Sequence, residues 1–567
     1  MVLMEEANKI LNFRIKKLKR LIDNRKFVFF ALTILTIYTL TDFFNVGFTN
    51  SDDSDNFIRA INGNYLLGAS IWAKGQGRFY FYYRVLWGYI PYLMGNSIWL
   101  IALKYIPIVG SFIMFSMITS KLLKSFHMGV ITYTSLLLLF SVPEEPYMLP
   151  TAYPFLFSLD LLLFLISGHF YLRYLKSRNY TNYVFSILFF TIPFMCYEAY
   201  VIIFILFLLL IIKDNYKNNP KSLLNKPALK EILPILVVGV IFYLFYFTFR
   251  AFYPSQYSGS SFASHFSFSR FSKAVFNINK SAFPTYIYNQ AQNVFVFHNK
   301  NHTDNFCFLL TNSSVLKIIL SFFISVLLCY YFIKISTLKI SIKKLLFVIF
   351  YFLVLSYGLN IIPGLSEKYN TIGNEIDGYV TTYFAFFSFT LSIIIILIIA
   401  QKIAIHSKVT YYLFIFFVFI ISFSTSIKIG YSNKYLGIDW NISEKRFELV
   451  NKILENDVFK NIPDNSVFLA KDLYETSSIL GKKVCEGDFS WNKYIRAKTR
   501  RKLFFCRNMN DMKEVLAEKK NCNIYLLTKT ENLSKKIFIL NVIRLNRLEF
   551  SKGNYMHRGK VCSAIIQ

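Results

Sequence analysis

The stretch Thr49-Asn50-Ser51-Asp52-Asp53-Ser54-Asp55 carries three carboxylates and follows directly on an apolar run from Phe27 to Val46. If that run crosses a bilayer, the acids stand where the chain leaves it. A carboxylate there is placed to take a proton from a hydroxyl at the membrane face. Asp52 and Asp53 are the candidates for that base. Asp55 is read either as a substrate or metal contact or as the start of the helix that follows, since carboxylates favour helix N-termini. The bland alternative for the whole stretch is a solvated turn, which Ser, Asn and Asp favour.

A second set of residues could bind what such a base acts beside. Arg78 and Arg84 follow in the same loop, and guanidinium pairs well with phosphate. Glu144 and Glu145, in Pro143-Glu144-Glu145-Pro146, are two adjacent acids after a later apolar run. They could hold a hard divalent cation with Asp52 or Asp53, or simply make a tight polar loop. Glu198 sits between two short apolar runs and is read as a substrate contact or as a partner for Arg250. Lys104 and Asp160 fall inside apolar runs, where each needs a partner, and they are expected to pair with each other. His298-x-x-x-His302 has helix-compatible spacing but lacks the Glu of a zincin motif. Gly75-x-Gly77 is too weak to be a nucleotide loop, and no Walker sequence occurs. Of seven cysteines, Cys485, Cys506, Cys522 and Cys562 lie near the C-terminus without CxxC spacing. They suggest one or two disulfides if that region is extracytoplasmic, with no pairing readable.

The elements that must position these residues are membrane helices. Hydrophobic residues make up 54% of 567 and charged residues 17%. Runs such as Val201 to Ile212 and Leu391 to Ala400 recur too often for a soluble core. Eleven spans are expected, at 27–46, 97–119, 128–142, 152–172, 181–195, 197–212, 231–250, 314–334, 345–362, 379–400 and 409–428. The net charge of +31 reflects basic residues in short loops and facing lipid headgroups, and nucleic-acid binding is set aside. The first run reads as a signal anchor behind a basic tail, residues 1–26.

Charge sets the orientation. Arg173, Lys176 and Arg178 precede the run at 181–212, and Lys213, Lys217 and Lys221 follow it. Both flanks therefore belong on the cytoplasmic side, and the run must cross and return. Pro193 and Cys196-Tyr197-Glu198 mark the reversal; a single long tilted helix is the rival. The N-terminus is then cytoplasmic. The segments outside are loop 47–96, loop 251–313 and a soluble domain at 430–567, with residues 27–429 forming the transmembrane domain. Tyr80 to Tyr92 reads as an interfacial aromatic helix. The terminal domain has 26 basic and 15 acidic residues. A helix from Ser443 to Phe459, strands at Val467 to Ala470 and Ile524 to Leu527, and a helix from Met512 to Lys519 predict a small α/β domain.

This layout resembles the GT-C superfamily of membrane glycosyltransferases: a basic tail, one span, an acidic outer loop leading into interfacial aromatics, many further spans and an outer terminal domain. It is similar to bacterial polyprenyl-phosphate-dependent enzymes, including O-antigen glucosyltransferases and relatives of the protein mannosyltransferases and aminoarabinose transferases. The architecture covers the whole chain, whereas the specific motif covers about residues 49–84. The resemblance implies a multi-pass protein of the bacterial inner (cytoplasmic) membrane with a polyprenyl phosphate sugar as donor. The acceptor would be an outer-face glycan or lipid-linked acceptor of the cell envelope, such as lipopolysaccharide. A first-loop carboxylate would be the base, cationic residues would hold the donor phosphate, and a divalent metal ion serves in some members. Two departures stand out. Asp52-Asp53 replaces the Asp-Glu of many relatives, and Gly378-Tyr379-Val380-Thr381-Thr382-Tyr383 lacks an arginine found there in several, which puts phosphate binding through that region in doubt. The rival readings are a transporter or flippase of a lipid-linked saccharide, an O-antigen polymerase or ligase, and a non-catalytic envelope protein.

Overall fold

The computed structural model describes residues 24–41, 51–94, 98–141, 155–218, 226–282, 309–311, 313–336, 340–372, 382–474, 491–519, 522–532, 537–545 and 557–566. For 51–55, 216–218, 226–228, 370–372, 438–446, 474, 493, 529–532, 537–538, 557–562 and 564–566 it describes the backbone alone.

Each of the eleven expected apolar segments falls on a helix. They are α1 (Arg25–Leu40), α4 (Ile98–Leu122), α5 (Phe126–Leu139), α6 (Leu156–Ser177), α7 (Tyr180–Phe194), α8 (Val201–Asn218), α9 (Lys226–Phe252), α11 (Val315–Ile335), α12 (Ile342–Leu359), α13 (Thr382–Ala404) and α14 (Lys408–Glu455). Between them lie α2 (Ser51–Ile61), α3 (Tyr65–Gln76) and α10 (Phe268–Lys280). Among the described residues, seven helices are by length and composition apolar enough to cross a membrane; α5 and α7 are apolar but shorter. The helices start where a polar side chain can take an orphan amide. Asn24, Ser125, Asn179, Ser341 and Ser407 each accept from a first-turn N–H.

Small residues and hydroxyls bring the helices close, since burial from water gives little attraction within a bilayer. A methyl on Gly129 of α5 would meet the Ser116 carbonyl of α4 at 3.0 Å. The Ser167 hydroxyl of α6 donates to the Ser186 carbonyl of α7 at 2.7 Å. Thr36 of α1 meets the Tyr133 hydroxyl of α5 at 2.7 Å.

The bundle has two distinct ends. At one, Arg178 pairs with Asp214 at 2.7 Å, and Lys344 donates to the Leu122 carbonyl at 2.6 Å. Arg178 precedes α7 and Asp214 lies near the end of α8, so these helices run out and back with their turn at Met195–Tyr200. The expected hairpin is present and the single tilted helix is not. At the other end, the Gln256 amide donates to Gly75 at 2.9 Å. Gly77 is the left-handed stop of α3 (φ 64°), where a side chain would meet the Tyr253 carbonyl at 3.0 Å. That packing role accounts for this glycine without a nucleotide. The aromatic segment departs from the expected helix: Phe81–Tyr83 is a short turn, Arg84–Tyr89 is a π-helical turn and Ile90–Met94 is 3-10.

The helix α14 runs for 48 residues, about 72 Å at 1.5 Å per residue. It passes through the boundary placed at 430 and carries Phe447, Val450 and Ile453 into the terminal domain's core. There α15 (Trp491–Thr499) and α16 (Met509–Glu518) pack on a five-stranded sheet. Its strands are β1 (Val467–Leu469), β2 (Phe504–Cys506), β3 (Ile524–Asn532), β4 (Ile537–Leu545) and β5 (His557–Ile566). The order is β2-β1-β3-β4-β5; β1 is parallel to β2 and β3, and β3 to β5 form an antiparallel meander. Phe468 stacks on Phe505 at 4.5 Å and on Tyr525 at 5.0 Å across neighbouring strands, the cross-strand pairing that stabilises sheets. Cys506 and Cys522 are free thiols; Cys485 lies outside the described residues, as does the side chain of Cys562.

Candidate active site at the first loop

The acidic stretch forms the first turn of α2, an amphipathic helix of 11 residues. A helix this short is marginal alone, so its neighbours hold it. Asn56, Phe57 and Ala60 are buried. The side chains of Asp52, Asp53 and Asp55 lie outside the described residues, but the register of the backbone is defined. Asp52 stands one turn before Asn56, Asp53 one turn before Phe57, and Asp55 one turn before Arg59.

Asn56 faces a cation. Its side-chain oxygen accepts from Arg84 Nη2 at 3.0 Å. The Arg84 guanidinium lies 5.1 Å from the Trp72 ring and 5.8 Å from the Tyr89 ring. Gly88, four residues on, leaves room for it: a methyl there would meet Arg84 Cδ at 3.1 Å. The Arg84 Nε is buried without a hydrogen-bond partner. Arg59 approaches the same tyrosine, donating to the Tyr89 hydroxyl at 3.2 Å and to the Gly68 carbonyl at 2.9 Å. Among the described residues, neither guanidinium meets a carboxylate. Two cations around one aromatic ring, with a donor atom unused, can receive an anion.

Arg78 is differently placed. Its side chain is 9% exposed and pairs with Glu198, which is 12% exposed. Arg78 Nε donates at 3.0 Å and Nη2 donates to the same oxygen. The Tyr80 hydroxyl donates to the other Glu198 oxygen. Burial, opposed by Arg78, holds that phenol well above its ordinary range, so it remains a donor at neutral pH. Glu198 therefore meets Arg78; the expected partner Arg250 instead donates to the Tyr246 hydroxyl and the Ser260 carbonyl. Packing places segment 78–80 against the turn after α7, whereas Arg250 is drawn into its own loop.

The expected Lys104–Asp160 pair is absent. Asp160 Oδ2 accepts from Tyr200 at 2.8 Å and from Tyr83 at 3.4 Å, and Oδ1 has no hydrogen-bond partner. Buried phenols solvate this acid in place of an ammonium. Glu144, Glu145, His298 and His302 lie outside the described residues. Among the described residues, no group of three His, Cys, Asp or Glu could hold a metal ion.

The structure thus brings Arg84 to the acidic helix and turns Arg78 toward Glu198. Asn56, Arg59, Trp72 and Tyr89 join them, and none of these belongs to a recognisable motif. The alternation of arginine with aromatic residues across 59–89 was their one signal in sequence. No protein-family model matches this chain, and no curated protein matches it.

Proposed function

We propose that the chain is a membrane glycosyltransferase that moves one sugar from a polyprenyl phosphate carrier to an outer-face glycan or lipid-linked acceptor. The observation that carries this reading is the docking of α2 on Arg84 through Asn56, with Arg59 beside it and no carboxylate on either cation among the described residues. Base and anion site then share one face of the loop. Asp52, in register with Asn56, is the better placed of the two candidate bases. It would take the proton of the acceptor hydroxyl as that oxygen bonds to the sugar's anomeric carbon and the bond from that carbon to the phosphate oxygen breaks. Arg59 and Arg84 would stabilise the charge growing on the departing lipid phosphate. Arg78, already neutralised by Glu198, would keep the segment in place.

In this reading all eleven apolar helices cross the inner membrane of a bacterium. The end bearing Arg178 and Lys344 faces the cytoplasm, and the first loop and terminal domain lie outside, as the basic loops require. A cavity of about 220 Å³ among α4, α6, α7, α8, α12 and α13 is lined by Phe115, Phe164, Phe207, Phe352 and Phe387. It would take part of the prenyl chain.

The test supplies radiolabelled polyprenyl phosphate sugars and extracted envelope glycolipids to the detergent-purified protein, in wild type and Asp52→Asn. Transfer that disappears in the variant supports the reading. No transfer with any donor, together with saccharide movement in proteoliposomes, would replace it with a transporter.

A further inference from the structure

The helix that bears the acids is held from two sides. Asn56 ties one side to Arg84. On the other, Phe57 and Ala60 enter the core of the terminal domain, with Phe447, Trp491 and Tyr494. The Phe57 ring stacks on Tyr494 at 5.4 Å with 27° between planes. Tyr494 is fixed in turn: Phe447 lies edge-on at 5.5 Å, and its hydroxyl donates to Asn451 Oδ1 at 2.8 Å. Phe447 and Asn451 belong to α14, the helix that rises from the bundle. Trp491 closes the cluster, its ring 5.0 Å from Phe447 and its Nε1 donating to the Leu473 carbonyl at 3.1 Å. Tyr92 and Leu100, at the entry to α4, share the same core.

From this packing we infer that Phe57 and Tyr494 form a latch through which the terminal domain positions the acidic helix. Such a helix has too few residues to hold its own conformation. Asp53 lies one turn before the latched residue and Asp52 one turn before the cation-bound one, so the two contacts fix both the rotation and the height of the acids. Tyr494 is a positioning residue that touches no reacting atom. The terminal domain serves as a brace for the first loop, and α14 couples that brace to the membrane helices. The latch stands on packing alone; its effect on transfer rests on the function proposed above.

The experiment follows amide hydrogen exchange of the full chain in detergent, in wild type, Tyr494→Ala, Tyr494→Phe and Phe57→Ala. The latch requires exchange in 51–61 to rise roughly tenfold or more in both alanine variants. Tyr494→Phe, which keeps the ring, must restore protection. Strands 467–469 and 504–506 report whether the terminal domain itself survives. If Tyr494→Ala loosens them as well, Phe57→Ala decides, because that residue comes from α2 and not from the domain's own elements. Unchanged exchange in 51–61 overturns the inference. For transfer, the latch requires Phe57→Ala to lower kcat with the donor KM unchanged, and an equal rise in KM would overturn the positioning role. A wild type without transferase activity would remove the proposed function and leave the exchange result to stand or fall by itself.

Discussion

Removing Glu198 is the sharpest perturbation, because two roles for Arg78 predict opposite outcomes. Arg78 and Glu198 are both mostly buried, and the carboxylate takes three hydrogen bonds, from Arg78 Nε, Arg78 Nη2 and Tyr80. Breaking such a pair from one side leaves a buried charge without compensation, at a cost of about 3–5 kcal/mol. Replacing both partners by apolar residues of similar volume is close to neutral. Arg78→Met should therefore cost about 3 kcal/mol, Glu198→Leu a similar amount, and the double variant much less than their sum. The coupling energy should then be about 6 kcal/mol in magnitude if the double variant is neutral, and about 3 kcal/mol if it still costs as much as one single variant. Tyr80→Phe removes one hydrogen bond to a charge and should cost about 1.5–3 kcal/mol.

The assay is denaturant-induced unfolding in detergent, followed by tryptophan fluorescence, with the four proteins forming a double-mutant cycle. Donor KM is measured on the same set. If Arg78 is a structural cation, stability and KM both recover in Arg78→Met/Glu198→Leu. If Arg78 binds donor phosphate, KM stays raised in the double variant whatever happens to stability. Additive single effects, with coupling below about 0.5 kcal/mol, would refute the buried-pair argument altogether.

Arg84→Gln and Arg59→Gln should each raise the donor KM by roughly tenfold or more, the loss of a charge-assisted contact worth about 1.5–3 kcal/mol; steady-state kinetics with varied donor checks this. Asp52→Asn should lower kcat by about 10²–10⁴, with Asp53→Asn the milder change, and the reverse order would place the base on the Phe57 side. Gly77→Ala forces a side chain into a left-handed position and onto the Tyr253 carbonyl, and should cost about 1–2 kcal/mol in the same unfolding assay. Burial pushes the Cys506 thiol up to about 12 from an ordinary 9.0. The folded state thus favours the neutral thiol, and its contribution is fully present below about pH 9 and lost as pH rises toward about 12. The terminal domain should lose stability across that window, less so in Cys506→Ala, as read by the pH dependence of its unfolding midpoint.

The helices were legible because apolar length and loop charge are local properties. The reversal at Cys196-Tyr197-Glu198 followed from basic residues on both flanks, and Arg178 meeting Asp214 is that same geometry seen from inside. Pairing was not legible. Glu198 had Arg78 and Arg250 as possible partners on the same end of the bundle, and tertiary packing chose between them: Tyr80 joins Arg78 at Glu198, while Tyr246 and Ser260 hold Arg250. Likewise Asp160 met Tyr83 and Tyr200, since phenols can solvate a buried acid as well as an ammonium can. The expected helix start at Ser443 failed for a simpler reason. Leaving a membrane does not end a helix; a breaker does, and neither glycine nor proline occurs between Ile438 and Glu455. Asn456 then supplies the stop and caps the next turn.

The acidic stretch shows where local reading ends. Its composition suits a turn, a cap or a catalytic base, and its intrinsic preference does not choose among them. What packs on it is long-range: Phe57, the first large apolar residue after the acids, stacks on Tyr494, and Asn56 accepts from Arg84. Tyr494 belongs to α15, and α14, continuing unbroken out of the bundle, carries Phe447 into the same cluster. If the acids do chemistry, their placement is set by the terminal domain and the interfacial arginines together. Substitutions in the terminal domain's aromatic core should then alter kcat as readily as substitutions beside the acids. Substitutions at Lys513 and Glu514, exposed on α16, should not.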